Sequence, residues 1–274
     1  MLITLISIEF QKLRSRNLFL ILSGLIIAVL LLLFIGGFLS YQVVTKPDSK
    51  KILQDSLTWA NGGNLALSIT SGLGSFFLLV LTAAATVSDY NWRTLHLSLS
   101  HGVSREQLFW GKFFAFVLTA VLFVLVPFFL AFLLMLPLTP LMGGEFSASE
   151  FTTVLSRVPR VFLYLLTFVT FAFFLGIVTR SLALSLVFGL LYIFVVEPVL
   201  MTATQFIGEP WVQVADYLPF QLATALLRIT PDMPMMAELE QQFVSPAIAA
   251  LGVLLWGTIF LGLGLLRFRQ QDLL

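Results

Sequence analysis

Apolar residues gather in six long runs, at Asn17–Ser40, Gly63–Val87, Phe109–Leu136, Val161–Thr179, Leu182–Thr204 and Val244–Leu266. Crossing ~30 Å of hydrocarbon takes about 20 residues of helix, so each run is long enough to span a bilayer. Backbone polar groups cannot face lipid unpaired, and the short alternating strands of a membrane barrel are missing, so the runs read as helices. The expected fold is all-α and integral to a membrane, six transmembrane helices in one domain over residues 1–274. No internal repeat, low-complexity tract or soluble domain interrupts it.

The stretches around these runs carry their own patterns. "MLITLISIEFQKLRSR" is too short and polar to span. Wound as a helix it sets Leu2, Ile3, Ile6, Phe10 and Leu13 on one face and Thr4, Ser7, Gln11 and Arg14 opposite. That pattern predicts an interfacial elbow helix over residues 1–16, against the plainer alternative of a frayed, solvated terminus. Small residues from Gly63 to Ser75 let the second span pack closely and centrally. Pro127 is expected to kink the third span, which ends near Pro137 and Pro140. Ser147 and Glu150 have the spacing of a capping box. Spans four and five are joined by little more than Thr179-Arg180-Ser181, a tight hairpin. Gln205–Gln242 is an external segment of short amphipathic helices, interrupted by Pro219, and Ser245-Pro246 starts the last span.

Composition narrows the function classes. Hydrophobic residues make up 59% of the chain and charged ones 11%, well below the roughly 25% of soluble domains. A net charge of +1 gives no bulk argument for nucleic acid. The lack of cysteine excludes disulfides, thiolate metal sites and cysteine nucleophiles. Lys12, Arg14 and Arg16 precede a run too long for the core of a cleavable signal. With both termini in the cytoplasm, nine basic residues fall inside: Lys12, Arg14, Arg16, Arg93, Arg105, Lys112, Arg180, Arg267 and Arg269. Six fall outside, and carboxylates sort the other way, four against ten. The basic residues carry the rule, so the termini are expected inside.

Catalytic chemistry is missing from the sequence. Gly111-Lys112 lacks the upstream glycine and following hydroxyl of a phosphate loop, so the chain has no recognisable ATP site. His96 and His101 have no carboxylates at metal-ligand spacing, and no nucleophile–histidine pair lies within a span. Glu197 is the exception among membrane-depth charges. About 15 residues into the fifth span, or ~22 Å along it, it is either a carboxylate reaching water at a helix break before Pro198, or a polar point on a substrate path or gate.

The most informative stretch is "SDYNWRTLHLSLSHGVSREQ", Ser88–Gln107. Ser88 is placed to cap a short helix on which Trp92, Leu95 and Leu99 form a stripe beside Arg93 and His96. Gly102 permits a reversal, and Ser104 with Gln107 makes a capping box for the third span. An apolar stripe with aromatic and Arg anchors suits a protein groove, although Trp92 and the leucines could also rest on lipid headgroups. Asp89, "RTL" at Arg93–Leu95, "GVSR" at Gly102–Arg105 and "GK" at Gly111-Lys112 are similar to motifs of one family. So are "YLPF" at Tyr217–Phe220 and the tail of Phe268, Arg269 and Asp272, the latter with one extra glutamine. With the six-span layout, the chain resembles the membrane-spanning permease subunits of type-2 ABC exporters. Asp89 stands where that family commonly has glutamate.

The resemblance implies a cytoplasmic coupling segment over residues 88–104, with Asp89, Trp92, Arg93, Leu95, Leu99, Gly102 and Arg105 engaging a separate ATP-binding cassette subunit. ATP and Mg would belong to that partner, leaving this chain without a cofactor or enzymatic activity. A second permease chain, identical or related, would complete the path in a bacterial cell membrane. Two other functions share the layout. An ATP-independent carrier or channel would show buried ion-coupling charges or inverted repeats, and neither is seen. A membrane anchor for a cytosolic ATPase would use the same segment and move no solute.

Overall fold

The computed structural model describes residues 2–59, 61–91, 103–227 and 244–270. All regular structure among these residues is helical. It runs α1 (Leu2–Arg14), α2 (Asn17–Val43), α3 (Pro47–Leu57), α4 (Gly62–Asn91), α5 (Arg105–Leu141), α6 (Ala148–Thr179) and α7 (Leu182–Leu191). A π-helical turn (Tyr192–Val196) joins α7 to α8 (Glu197–Ile207) without a break, followed by α9 (Trp211–Ala215), α10 (Pro219–Leu227) and α11 (Pro246–Gln270). Six helical spans are long and apolar enough to cross a membrane: α2, α4, α5, α6, the continuous α7–α8 and α11.

The small residues of the second run do centre its helix. More than half of the most apolar window of α4, and of α6, is buried, against under a quarter for α2 and for α7–α8. Among the described residues the α4–α6 contact is the most extensive, and α11 and α10 also pack on α6. By contrast α2 touches the bundle through Ile26, Leu30 and Phe34, four residues apart, while Leu20, Ile21 and Leu32 stay exposed. Such exposed leucines suit lipid as solvent.

Gly176 sets how closely α4 and α6 approach. A Cβ there would stand 2.9 Å from both Cβ and Cγ2 of Thr86, which is itself 2% exposed. Gly176→Ala is therefore expected to destabilise the chain by about 1–2 kcal/mol, overpacking outweighing alanine's better helix propensity. Thermal unfolding in detergent measures it.

Several local expectations need correction. Ser88 caps nothing: α4 continues to Asn91, and the Ser88 hydroxyl donates back to the Ala85 carbonyl at 3.0 Å. Ser147 precedes α6 without a side-chain cap, its hydroxyl paired instead with Ser149 at 2.8 Å. The fourth span starts at Ala148, not Val161, because a helix need not stop where charge begins, and Arg157, Pro159 and Arg160 lie within it. The end of the third span matches instead: α5 runs through Pro127 and ends at Leu141, beside Pro140.

Other local readings match. Ser104 and Gln107 form the reciprocal capping box, both bonds 3.2 Å. Arg180, at φ 49°, turns the chain between α6 and α7. Pro219 opens α10 rather than breaking a helix, with α9 just before it.

Candidate functional site

At one end of the bundle, α1, the link from it to α2, the last turn of α4 and the first turns of α5 bring five charges together. Lys112 lies two turns into α5 and is 7% exposed. A buried ammonium is costly unless carboxylates surround it. Here the Lys112 ammonium pairs with the Asp89 carboxylate from α4 and lies 3.8 Å from Glu9 Oε2 on α1. Asp89 and Glu9 are buried as well. Lys12 Nζ donates to Glu9 Oε1 at 2.5 Å, and Arg16 Nη2 stands 3.6 Å from Asp89 Oδ1. Burial draws the Arg16 guanidinium below its ordinary pKa and Glu9 opposes this; an arginine so placed remains a cation.

Close approach of α1 depends on the residue before Lys112. A Cβ on Gly111 would sit 3.2 Å from Leu5 Cβ, so glycine lets α1 lie against α5 and bring Glu9 over the lysine. This is the physical content of the Gly-Lys pair. The expected faces of α1 hold over most of its length, with Leu13 buried, Ile6 and Phe10 half-buried and Thr4, Ser7, Gln11 and Arg14 exposed; Glu9 is buried as well, and Ile3, assigned to the apolar face, is 81% exposed.

Neighbouring chain ends are tied to the same region. Arg105 Nη1 donates to the Arg269 carbonyl at 2.9 Å, and Arg269 pairs with Glu106. The latter pair is half exposed and adds little energy, but it ties α11 to the first turn of α5. The Arg180 guanidinium lies 5.6 Å from the Tyr90 ring centroid, joining the α6–α7 turn to the last turn of α4.

Asp89 and Arg105 thus flank the segment 92–102 from its two sides, each held by groups from other helices. Trp92, Arg93, Leu95, Leu99 and Gly102 lie outside the described residues. The charge cluster of Glu9, Lys12, Arg16 and Lys112 around Asp89 was missed in the sequence. Its one signal there was a lysine two turns into an apolar helix, matched by an aspartate in the last turn of the preceding span.

Glu197 sits far from this cluster and does not reach water. It is 1% exposed, and its Oε1 accepts from the Phe220 backbone N–H at 2.9 Å. The Gln221 backbone also hydrogen-bonds to it. Two free N–H groups at the start of α10 therefore find their acceptor on α8. The turn before it is π-helical rather than broken, which keeps Glu197 aimed at α10.

A family profile described as ABC-2 family transporter protein matches residues 3–273. The chain belongs to the ABC-2 transporter family. No curated protein matches it. An ABC-2 chain is the membrane component of an ABC transporter, and six apolar helices make this one an integral membrane protein. The ABC-2 match covers α1 and the charge cluster as well as all six spans.

Proposed function

We propose that this chain is the permease subunit of an ATP-driven exporter, two permease chains enclosing the path and each engaging a separate ATP-binding cassette subunit through residues 88–104. The observation that carries this reading is the buried cluster of Lys112, Asp89 and Glu9, which clamps α1 to the two helix ends flanking the segment. A lever needs a stiff mount. Force applied between Asn91 and Val103 passes directly into α4 and α5, and through Arg105 and Arg269 into α11.

The rest of the reading has separate supports. The excess of basic residues at this end supports a cytoplasmic position for it and for the termini, and the resemblance to stand-alone permeases of this length supports a bacterial cell membrane. ATP and Mg are bound by the partner, where hydrolysis takes place. A polar strip on α4, with Ser68 and Gly72 exposed and Asn64 half-buried, is poorly suited to lipid and fits a water-lined path or a second chain. The short helices α9 and α10 lie at the exit.

The test is a mild-detergent pull-down of the tagged chain from native membranes, with mass spectrometry of what stays bound. An ATPase with a phosphate loop is expected, and its recovery should fall at least tenfold when Trp92 and Leu95 are both changed to Asp, as a desolvated charge in the groove costs several kcal/mol. A stable oligomer of the chain alone would sink the reading.

A further inference from the structure

The fifth span changes character halfway along. Its inner half, α7, packs extensively on α6 and α4, whereas the extensive contacts of α8, among the described residues, are with the π turn and α9. The π turn itself is pinned to the bundle. Tyr192 lies against Phe171 of α6 with ring centroids 5.2 Å apart, and Phe194 stacks on Phe76 of α4 at 5.6 Å. Glu197, tied to the start of α10, closes the pinned stretch. Beyond it Val199 is 58% and Phe206 87% exposed. The backbone ladder is weak at the same place, because a π turn widens it and Pro198 brings no N–H for the carbonyl one turn back. Long helices bend sharply at such points.

Across from this arm runs the exposed strip of α4. Gly189 lies beside Leu79 and Phe194 beside Phe76, so α4 and the fifth span are antiparallel. Eight residues outward from the Phe76–Phe194 contact, about 12 Å along each helix, Ser68 stands level with Thr202. Both are exposed, and a Cβ on Gly72, one turn nearer the pivot, would meet nothing within 4 Å. We propose that α8 with α9 is a lid that swings about Tyr192–Val196 and closes over this strip, bringing Thr202 to Ser68. A swing of about 20° carries the far end of α8, ~16 Å from the pivot, by ~5 Å. Small residues and facing hydroxyls suit a close approach of helices in lipid. The lid rests on the reading of this strip as the edge of a path, whose outer end it would seal. Its movement belongs to the chain alone, so a failed ATPase pull-down and a failed lid are separate results.

The chain has no cysteine, so introduced pairs report by themselves. Ser68→Cys with Thr202→Cys is oxidised in the full chain in lipid nanodiscs, and the intact mass is read after alkylation. Leu79→Cys with Gly189→Cys is the control on the packed inner half, where a Cβ on Gly189 would stand 3.6 Å from Leu79 Cδ1. It should crosslink in every background and shows which variants remain folded. The lid pair should crosslink within the chain, and Pro198→Ala, which restores the N–H and stiffens the turn, should slow this roughly tenfold. Deletion of Val195, an exposed residue of the π turn, restores the α-helical ladder by a second route and should slow it likewise. An unlinked lid pair beside a linked control, or an equal rate with the stiffened turns, would overturn the proposal. Crosslinking only between chains would also overturn it and would assign the strip to a second copy.

Discussion

Lys112→Met is expected to destabilise the chain by about 3 kcal/mol and to uncouple it from its ATPase. Removing one partner from a buried pair leaves the other charge desolvated, which typically costs 3–5 kcal/mol. The lower end applies because Arg16 still faces Asp89 at 3.6 Å and Lys12 still holds Glu9. Asp89→Leu should be comparably damaging, since it leaves the ammonium of Lys112 with only the more distant Glu9. The double variant separates two roles. An apolar pair of similar volume in place of a buried ion pair is often neutral, so Lys112→Met with Asp89→Leu should recover most of the unfolding temperature in detergent. Substrate-stimulated ATP hydrolysis by the reconstituted complex should stay low, because α1 is no longer tied electrostatically to the flanks of residues 92–102. Full recovery of both readouts would reduce the cluster to a packing element.

Why this cluster escaped the sequence, when the spans did not, follows from the range of the forces involved. A transmembrane helix is declared by its own 20 or so residues, because lipid demands apolar side chains and internal hydrogen bonds at every turn. Central packing was legible for the same local reason, in the glycines and serines of α4. Pairing of Asp89 with Lys112 depends on how α4 and α5 slide past each other, and the arrival of Glu9 depends on the rotation of α1. Neither quantity is written in a local period. The apolar stripe assigned to α1 included Ile3, which is exposed, and left out Glu9, which is buried near a lysine. Ser88 failed as a cap because α4 extends a turn further than its apolar run. Ser104 and Gln107 close their box, whereas Ser147 and Glu150, at the same spacing, do not, because the Ser147 hydroxyl pairs with Ser149.

Glu197 gives the sharpest division between a structural and a transport role for a buried charge. Its carboxylate caps α10, whose Phe220 ring packs against Phe168 and Phe171 of α6 at centroid separations of 4.9 and 5.3 Å. Glu197→Ala removes the acceptor for two backbone N–H groups and leaves a void beside them, an expected loss of about 2–3 kcal/mol. Glu197→Gln keeps a carbonyl oxygen at the same reach and gives up only the charge facing the helix terminus, about 0.5 kcal/mol. If the cap is the whole role, the glutamine variant should unfold and transport like wild type, while the alanine variant fails at both. If the charge itself guides substrate or gates the exit, glutamine should match wild type in unfolding temperature but alanine in transport. The hydrogen bond to Phe220 predicts the first pattern: α10 is held by an acceptor, and an amide oxygen is an acceptor. A gate that opens by moving α10 would still have to break that bond in every cycle, so even a neutral cap at this position sets part of the barrier to opening.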